Sequence, residues 1–339
     1  MKSSNTDAAP LVVVLGASGL VGSAVVRAMA DRPIRLRLVG RRPIAVPPGA
    51  QARIEILRVD LTQSGAMAVA VEGADVVVHL VAHIAGSATW RVSSNDQLAE
   101  RVNLGLVRDL VDYFASGAST LRGPAPVVVF AGSMSQTGRS KWGRICEADI
   151  GEPLTPYDEQ KMRAERLLLD ATRDGLVRAV PLRLATLFGR GNDVILDRGV
   201  VATMMRRALA DQTLTMWHDG SVTRDITCTD DVGGAVLAAV DHADALAGRH
   251  WLVGTGHATP IAELFRGIAQ AVAETTTRAP VPVVSIPPPG HSSPTDQLDF
   301  VVDPSAFHRV TGWRAAIRWE DALRPTAAAL REHAAVVGP

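Results

Sequence analysis

The chain has 339 residues, of which 47% are hydrophobic and 21% charged, and its formal net charge is zero. This is the composition of a globular protein with one large domain, or a principal domain and a smaller lobe. A zero balance supplies no field toward nucleic acid or an anionic membrane, and no apolar run approaches the roughly 20 residues that span a bilayer.

Residues 1–10 are polar and rich in Ser and Ala, with no apolar signal-peptide core, and are expected to form a disordered tail. Residues 11–15 (LVVVL) read as a buried strand. The run Gly16-Ala17-Ser18-Gly19-Leu20-Val21-Gly22 follows and opens an amphipathic stretch to about Met29. Further strands are expected at 35–39 (RLRLV), 54–59 and 76–80 (VVVHL), and residues 98–114 carry apolar side chains at helical spacing. A fifth strand at 127–130, a helix at 156–172 and a sixth strand at 177–184 complete the alternation. Strand–helix alternation with continuous apolar strands predicts an α/β fold, a Rossmann-type doubly wound parallel sheet over residues 11–186. From residue 187 loops lengthen, short strands are expected at 214–217 and 250–253, and prolines cluster at 287–289. Residues 187–339 are therefore expected to form mainly a smaller C-terminal lobe, with some elements returning to the first domain. Cys146 and Cys228 lie far apart, so no structural disulfide is expected and a cytoplasmic location fits.

The glycine run lies between a strand and a helix. In that context glycines let the backbone approach a pyrophosphate, and the helix N-terminus offers N–H groups and positive dipole. A tight βα turn without ligand is the plain alternative, and the spacing is G-x-x-G-x-x-G. The end of the second strand discriminates between cofactors, since NAD calls for a carboxylate there and NADP for an arginine. Here it reads Val39-Gly40-Arg41-Arg42, which favours NADP(H) over NAD, two solvated arginines being the alternative. Asp60-Leu61, at the end of the third strand, is placed to meet the adenine.

Tyr157 precedes Lys161 by four residues in a chain with only two tyrosines and three lysines. On a helix the two share a face, one turn apart. A nearby cation lowers a phenol's pKa from about 10 toward the working range, so the pair is a candidate acid/base unit for a carbonyl or carbinol. A surface tyrosine beside a solvated lysine is the plain alternative. His79, His83 and Cys146 show no metal-ligand spacing, and no metal is assigned.

Together these pieces resemble the extended short-chain dehydrogenase/reductase family of the NAD-dependent epimerase/dehydratase type, over nearly the whole chain. His79-Leu80-Val81-Ala82 is similar to the family's cofactor wall, Asn103-Leu104-Gly105 to its helix asparagine, and Phe130-Ala131-Gly132-Ser133 to the strand end bearing its catalytic Ser or Thr. Arg224-Asp225-Ile226 through Asp231-Val232 resembles the signature of its nucleotide-sugar members, and Thr311-Gly312-Trp313 their C-terminal Gly-Trp. Residues 78–90 and 199–220 are similar to bacterial TDP-4-keto-6-deoxyhexose 4-ketoreductases of antibiotic sugar pathways.

The resemblance implies that Tyr157 protonates a ketone oxygen as hydride arrives, that Lys161 depresses the tyrosine pKa and holds the nicotinamide ribose, and that Ser133 hydrogen-bonds the same oxygen. Ser135 is the second candidate for that last role. Arg224 is implied to bind the substrate diphosphate, against an alternative in which it pairs with Asp225. Trp217 is implied to cover the nucleotide base, against one in which it is lobe core. Thr186 and Val200 are weaker pocket-wall candidates.

Family dehydratases carry Asp-Glu where this chain has Met134 and Ser135, so no carboxylate is expected there and dehydration is disfavoured. The family's usual Tyr-Gly is Thr137-Gly138 here, and no R-x-G-D occurs near 288–299. The expected activity is NADPH-dependent 4-ketoreduction of a TDP-deoxyhexose by a homodimer paired through helices 98–114 and 156–172. A nucleotide-sugar epimerase and a non-catalytic NADP-binding sensor are the alternatives.

Overall fold

The structure, a computed structural model, describes residues 9–84, 92–93, 95–117, 123–140, 143–149, 151–190, 195, 197–217, 219–287 and 294–337. Residues 1–8 of the expected tail, residues 85–90 of the 78–90 segment, His218 and the prolines 288–289 lie outside the described residues.

The first half is β1 (Leu11–Leu15), α1 (Leu20–Ala30), β2 (Arg35–Gly40), β3 (Arg53–Arg58), α2 (Ala66–Val71), β4 (Val76–His79), α3 (Gln97–Glu100), a π-helical turn (Arg101–Gly105), α4 (Leu106–Ala115), β5 (Val127–Ser133), a 3₁₀ turn (Met134–Thr137), α5 (Pro156–Arg173) and β6 (Arg178–Leu184). The second half contains β7 (Thr186–Phe188), α6 (Val200–Leu209), β8 (Leu214–Trp217), β9 (Thr223–Arg224), β10 (Ile226–Cys228), α7 (Thr229–Asp241), α8 (Ala243–Leu246), β11 (Trp251–Val253), β12 (Thr259–Pro260), α9 (Ile261–Thr276), β13 (Val283–Ile286), α10 (Ser305–Thr311) and α11 (Trp319–Val337).

The main sheet has seven strands in the order β11-β6-β5-β4-β1-β2-β3, all parallel. The order steps outward from β1 in both directions, so strand ends diverge beside β1 and β4, where a doubly wound sheet opens its ligand crevice. β1 and β4 are buried along their whole length, which is why they read as unbroken apolar runs rather than alternating ones. One core cluster lies on the α1/α7 face (Val12, Val14, Val78, Val129, Trp251) and another on the α2/α4/α5 face (Val13, Leu15, Val77, Val128, Phe130). β11 closes one edge of this sheet although it follows β6 only after β7–β10 and the three helices α6–α8. A third cluster unites α6, α9 and α11 around Met205, Leu264, Ile268 and Leu323.

Candidate active site

The turn after β1 leaves no room for side chains. A Cβ on residue 22 would stand 2.1 Å from the Gly16 carbonyl oxygen, and Gly16 itself takes φ +90° with the Val81 amide 3.2 Å from where its Cβ would lie. The loop carrying Leu80, Val81 and Ala82 is thus pressed onto the glycine turn. α1 begins at Gly19 with no capping side chain and no acidic residue in its first turn. Its N-terminal amides at Leu20 and Val21 and its dipole are therefore not opposed by a cap or an acidic side chain, and a dinucleotide pyrophosphate fits these residues. Ser18 sits over the end of β2, its Oγ 2.8 Å from where a Cβ on Gly40 would be. Arg42 Nη2 donates to the Ser18 carbonyl at 3.1 Å, while Arg41 is 74% exposed and 3.7 Å from Asp60. Hydrogen bonds from the Thr62 amide and hydroxyl, then Arg41, hold the Asp60 carboxyl below its ordinary range.

Two expected cofactor contacts take other places. The Leu61 side chain is buried in the core of the α2/α4/α5 face. Asn103 lies inside the π-helical turn with its amide committed to protein. Its Oδ1 accepts from the His83 amide at 2.7 Å, and its Nδ2 donates to the His83 carbonyl at 3.1 Å and to Gln160 Oε1 at 2.8 Å. Asn103 thereby ties the loop after β4 to α5. The extra residue of the π turn brings its side chain inward.

Thr155 caps α5, accepting the Asp158 amide, and Pro156 opens the helix. Tyr157, Lys161 and Glu165 follow at four-residue intervals and all three are buried. The Tyr157 ring packs with Ile84, Val92 and Ala99, and the Lys161 ammonium lies 4.5 Å from the centre of the Phe130 ring on β5. Three residues beyond Phe130, β5 ends at Ser133. Ser133 Oγ is 2.7 Å from Ser135 Oγ, Ser135 Oγ donates to Asp158 Oδ1 at 2.5 Å, and Thr155 Oγ1 donates to Asp158 Oδ2 at 2.6 Å. A carboxyl therefore does reach Ser135, where none was expected. It comes from α5 rather than from the turn, and both its oxygens are covered by hydroxyls. The Thr155-x-x-Asp158 spacing of a helix start was its signal in the sequence.

The electrostatics reverse one expectation. Burial first, then the Asp158 charge, pushes the Tyr157 phenol above its ordinary pKa, not below it. Burial pushes the Lys161 ammonium down to about 7. Desolvation dominates both shifts, disfavouring the phenolate and the ammonium in the same apolar surroundings. Beside them His79 is buried with neither ring nitrogen hydrogen-bonded among the described residues, and burial, then Lys161, brings its pKa down to about 3.

Behind the site lies a second network that the sequence reading did not single out. Gln136 accepts the Ser133 amide at 2.7 Å through Oε1 and donates to Glu165 Oε2 at 3.1 Å through Nε2. Arg183 grips Glu165 at two points and also donates to Thr137 Oγ1.

In the second half, Thr186 begins β7 and Val200 begins α6, both half-buried. Trp217 ends β8, half-buried and paired with Ile286, while Met216 faces the lobe core. Arg224 departs from expectation. Its Nη1 donates to the carbonyls of Thr223 and Leu298, its Nη2 to those of Thr295 and Asp296, and its guanidinium lies over Phe300. In this structure it organises the 295–300 segment rather than presenting its fork to a diphosphate. It does not pair with Asp225, whose buried carboxylate accepts from Thr227, Thr255 and Gly256. Among the described residues no cluster of three or more His, Cys, Asp or Glu could hold a metal, and no helix is long and apolar enough to cross a membrane.

A 2'-dehydrokanamycin reductase from Streptomyces kanamyceticus is 26% identical over 305 residues, covering 88% of this chain and 76% of that protein. A dTDP-6-deoxy-L-talose 4-dehydrogenase (NAD(P)(+)) from Kitasatospora kifunensis is 25% identical over 321 residues, covering 92% and 93%. Among solved structures, MoeE5 in complex with UDP-glucose and NAD superposes with a TM-score of 0.75 at 24% identity, covering 96% of this chain and 99% of that one. UDP-glucuronic acid 4-epimerase from Bacillus cereus gives 0.77 at 18%, covering 95% and 99%. These two likenesses show a shared fold. The profile of the NAD dependent epimerase/dehydratase family matches residues 12–254, from the first strand and its glycine turn to the edge strand β11, and the chain belongs to that family.

Proposed function

We propose that the protein reduces the C4 ketone of a TDP-4-keto-6-deoxyhexose with NADPH. The observation that carries this reading is geometric: Tyr157 and Lys161 are buried one turn apart on α5, the helix that meets the Ser133 strand end through Asp158 and Ser135. Reduction of a ketone consumes one hydride and one proton. A bound nicotinamide supplies the hydride. Tyr157 holds its proton throughout the neutral range and gives it to the oxygen as charge develops there. Ser133 hydrogen-bonds the same oxygen, and Lys161, buried one turn on, holds the ribose. Arg41 and Arg42, with no carboxylate at the β2 end, support NADPH over NADH. The names of two relatives, a 2'-dehydrokanamycin reductase and a dTDP-6-deoxy-L-talose 4-dehydrogenase (NAD(P)(+)), support the reaction type. Met134 and Ser135, in place of an acidic pair, weigh against dehydration. We also place this chain in a homodimer through α4 and α5, which light scattering tests.

The commitment of Arg224 to backbone carbonyls favours a second reading, in which the ketone is carried by a sugar without a nucleotide. NADPH oxidation with TDP-4-keto-6-deoxyglucose and with a keto-aminoglycoside separates the two. Turnover of the first with a C4 alcohol product supports the proposal. Turnover of the second alone replaces it, and purified protein with firmly bound NAD that inverts a nucleotide sugar makes it an epimerase. Tyr157→Phe should lower kcat by about 10²–10⁴-fold, the usual worth of general acid catalysis.

A further inference from the structure

Ser133, Ser135, Asp158 and Thr155 form one chain of side-chain oxygens, and counting its protons shows that Ser133 has two states. Asp158 is 1% exposed and both serines are buried. Each hydroxyl owns one proton. With Asp158 ionised, its oxygens only accept, so Ser135 spends its proton on Oδ1 and Thr155 spends its own on Oδ2. At 2.7 Å Ser135 must then accept from Ser133, which leaves Ser133 no proton for the site. With a proton on Asp158 Oδ1 the direction reverses. Asp158 donates to Ser135, Ser135 donates to Ser133, and the Ser133 proton is free to point at a substrate oxygen.

We propose that Asp158 is a positioning residue that sets, through Ser135, whether Ser133 presents a hydrogen-bond donor or an acceptor to the substrate. The consequence for turnover rests on the reading of the site as a ketone reductase. A ketone oxygen only accepts, so reduction uses the neutral carboxyl. A carbinol hydroxyl can donate, so the ionised carboxyl suits the alcohol. The switch takes up one proton from solvent at Asp158 and reverses two hydrogen bonds, with no other bond made or broken.

The surroundings allow this carboxyl to titrate. Its burial raises the pKa, against the lowering by the Ser135 hydroxyl from the 3₁₀ turn and by Thr155 from the loop before α5, and the net direction is upward. Among the described residues no charged side chain counts among the influences on it, and Tyr157 on its own helix is the ionisable neighbour that feels its charge. A raised carboxyl is neutral at lower pH, so the donor state of Ser133 is lost as pH rises through that pKa.

Two measurements test this. Infrared difference spectra of the protein without added substrate should show a protonated carboxyl band that is missing in Asp158→Asn and persists to higher pH than an ordinary aspartic acid. Ser135→Ala, which removes a donor to the carboxylate, should move the midpoint of that band upward by about one pH unit or more. In turnover, the NADPH-dependent reduction rate of the wild type should fall about tenfold per pH unit above the Asp158 midpoint. That limb should vanish in Ser135→Ala and return in Ser135→Thr, which restores the hydroxyl. A limb unchanged in Ser135→Ala overturns the proposal, as does a band that titrates like an exposed aspartate. If the wild type reduces no keto-sugar, the reading of the function fails while the infrared midpoints still decide the chain. A midpoint identical in wild type and Ser135→Ala then rejects it.

Discussion

Replacing Glu165 with Gln should strongly destabilise this protein, although the amide is isosteric with the carboxylate. Glu165 and Arg183 are 3% and 2% exposed and meet at 2.8 and 3.1 Å, in a two-point contact between α5 and β6. Gln136 Nε2 and Arg183 both draw on Oε2, and His250 Nδ1 stands 3.7 Å from Oε1. Glu165→Gln leaves the guanidinium buried without a counter-charge, and breaking a buried pair from one side costs about 3–5 kcal/mol. That is a large share of the roughly 5–15 kcal/mol that holds a typical domain folded. The loss should also reach the active site, because the same Gln136 accepts the Ser133 amide through Oε1. Urea unfolding followed by circular dichroism measures the cost. Glu165→Leu/Arg183→Met, which removes both charges, should recover to within about 1 kcal/mol of wild type, since the desolvation of the pair disappears with it. A Glu165→Gln protein that loses less than about 1 kcal/mol, or a double variant no better than the single one, would refute this reasoning.

Other outcomes follow from the same geometry. Arg41→Ala/Arg42→Ala should cost NADPH roughly ten- to a hundredfold in affinity, about 1.5–3 kcal/mol, and leave NADH nearly untouched; equal kcat/KM for the two cofactors in the wild type would contradict it. Arg224→Ala strips partners from four carbonyls and should lower unfolding stability by about 1–3 kcal/mol. An unchanged urea midpoint with a raised KM would instead return Arg224 to the substrate. His79 and His250 stay neutral in the fold, burial lowering their pKa values to about 3 and about 4. Their folded values lie below the unfolded ones, so the stability they contribute is full above about pH 6.5 and is lost as pH falls toward those values, by up to about 1.4 kcal/mol per pH unit per histidine. His79→Phe should flatten that slope by about one proton's worth, and identical slopes would show that His79 is solvated.

Local patterns in the chain were enough for the strand, glycine turn and helix at the N-terminus, because a buried strand and an uncapped glycine-rich helix start are short-range features. They were enough, too, for Tyr157 and Lys161, since four residues is one helical turn whatever surrounds it. Glu165 lies one turn further on the same face, and its partner Arg183 interrupts an apolar strand, so both were visible as charges at core positions. The helices α6, α7, α9 and α11 were not legible. Gly233 and Gly234 in α7, Gly267 in α9 and Pro325 in α11 look like breakers, yet the faces that α7 buries against α1, and that α6, α9 and α11 bury against one another, outweigh those local penalties.

Only the tertiary structure could seat the three residues of β11 beside β6, because strand pairing across a long connection leaves no mark on the strand's own residues. The same holds for Asp158. Its partnership with Thr155 is local and readable, but its contact with Ser135, 23 residues away, exists because α5 packs over the end of β5. The sign of the Tyr157 shift was decided in the same way. Sequence spacing names the neighbours of a charge, whereas the cost of carrying it depends on how much water the packed elements exclude.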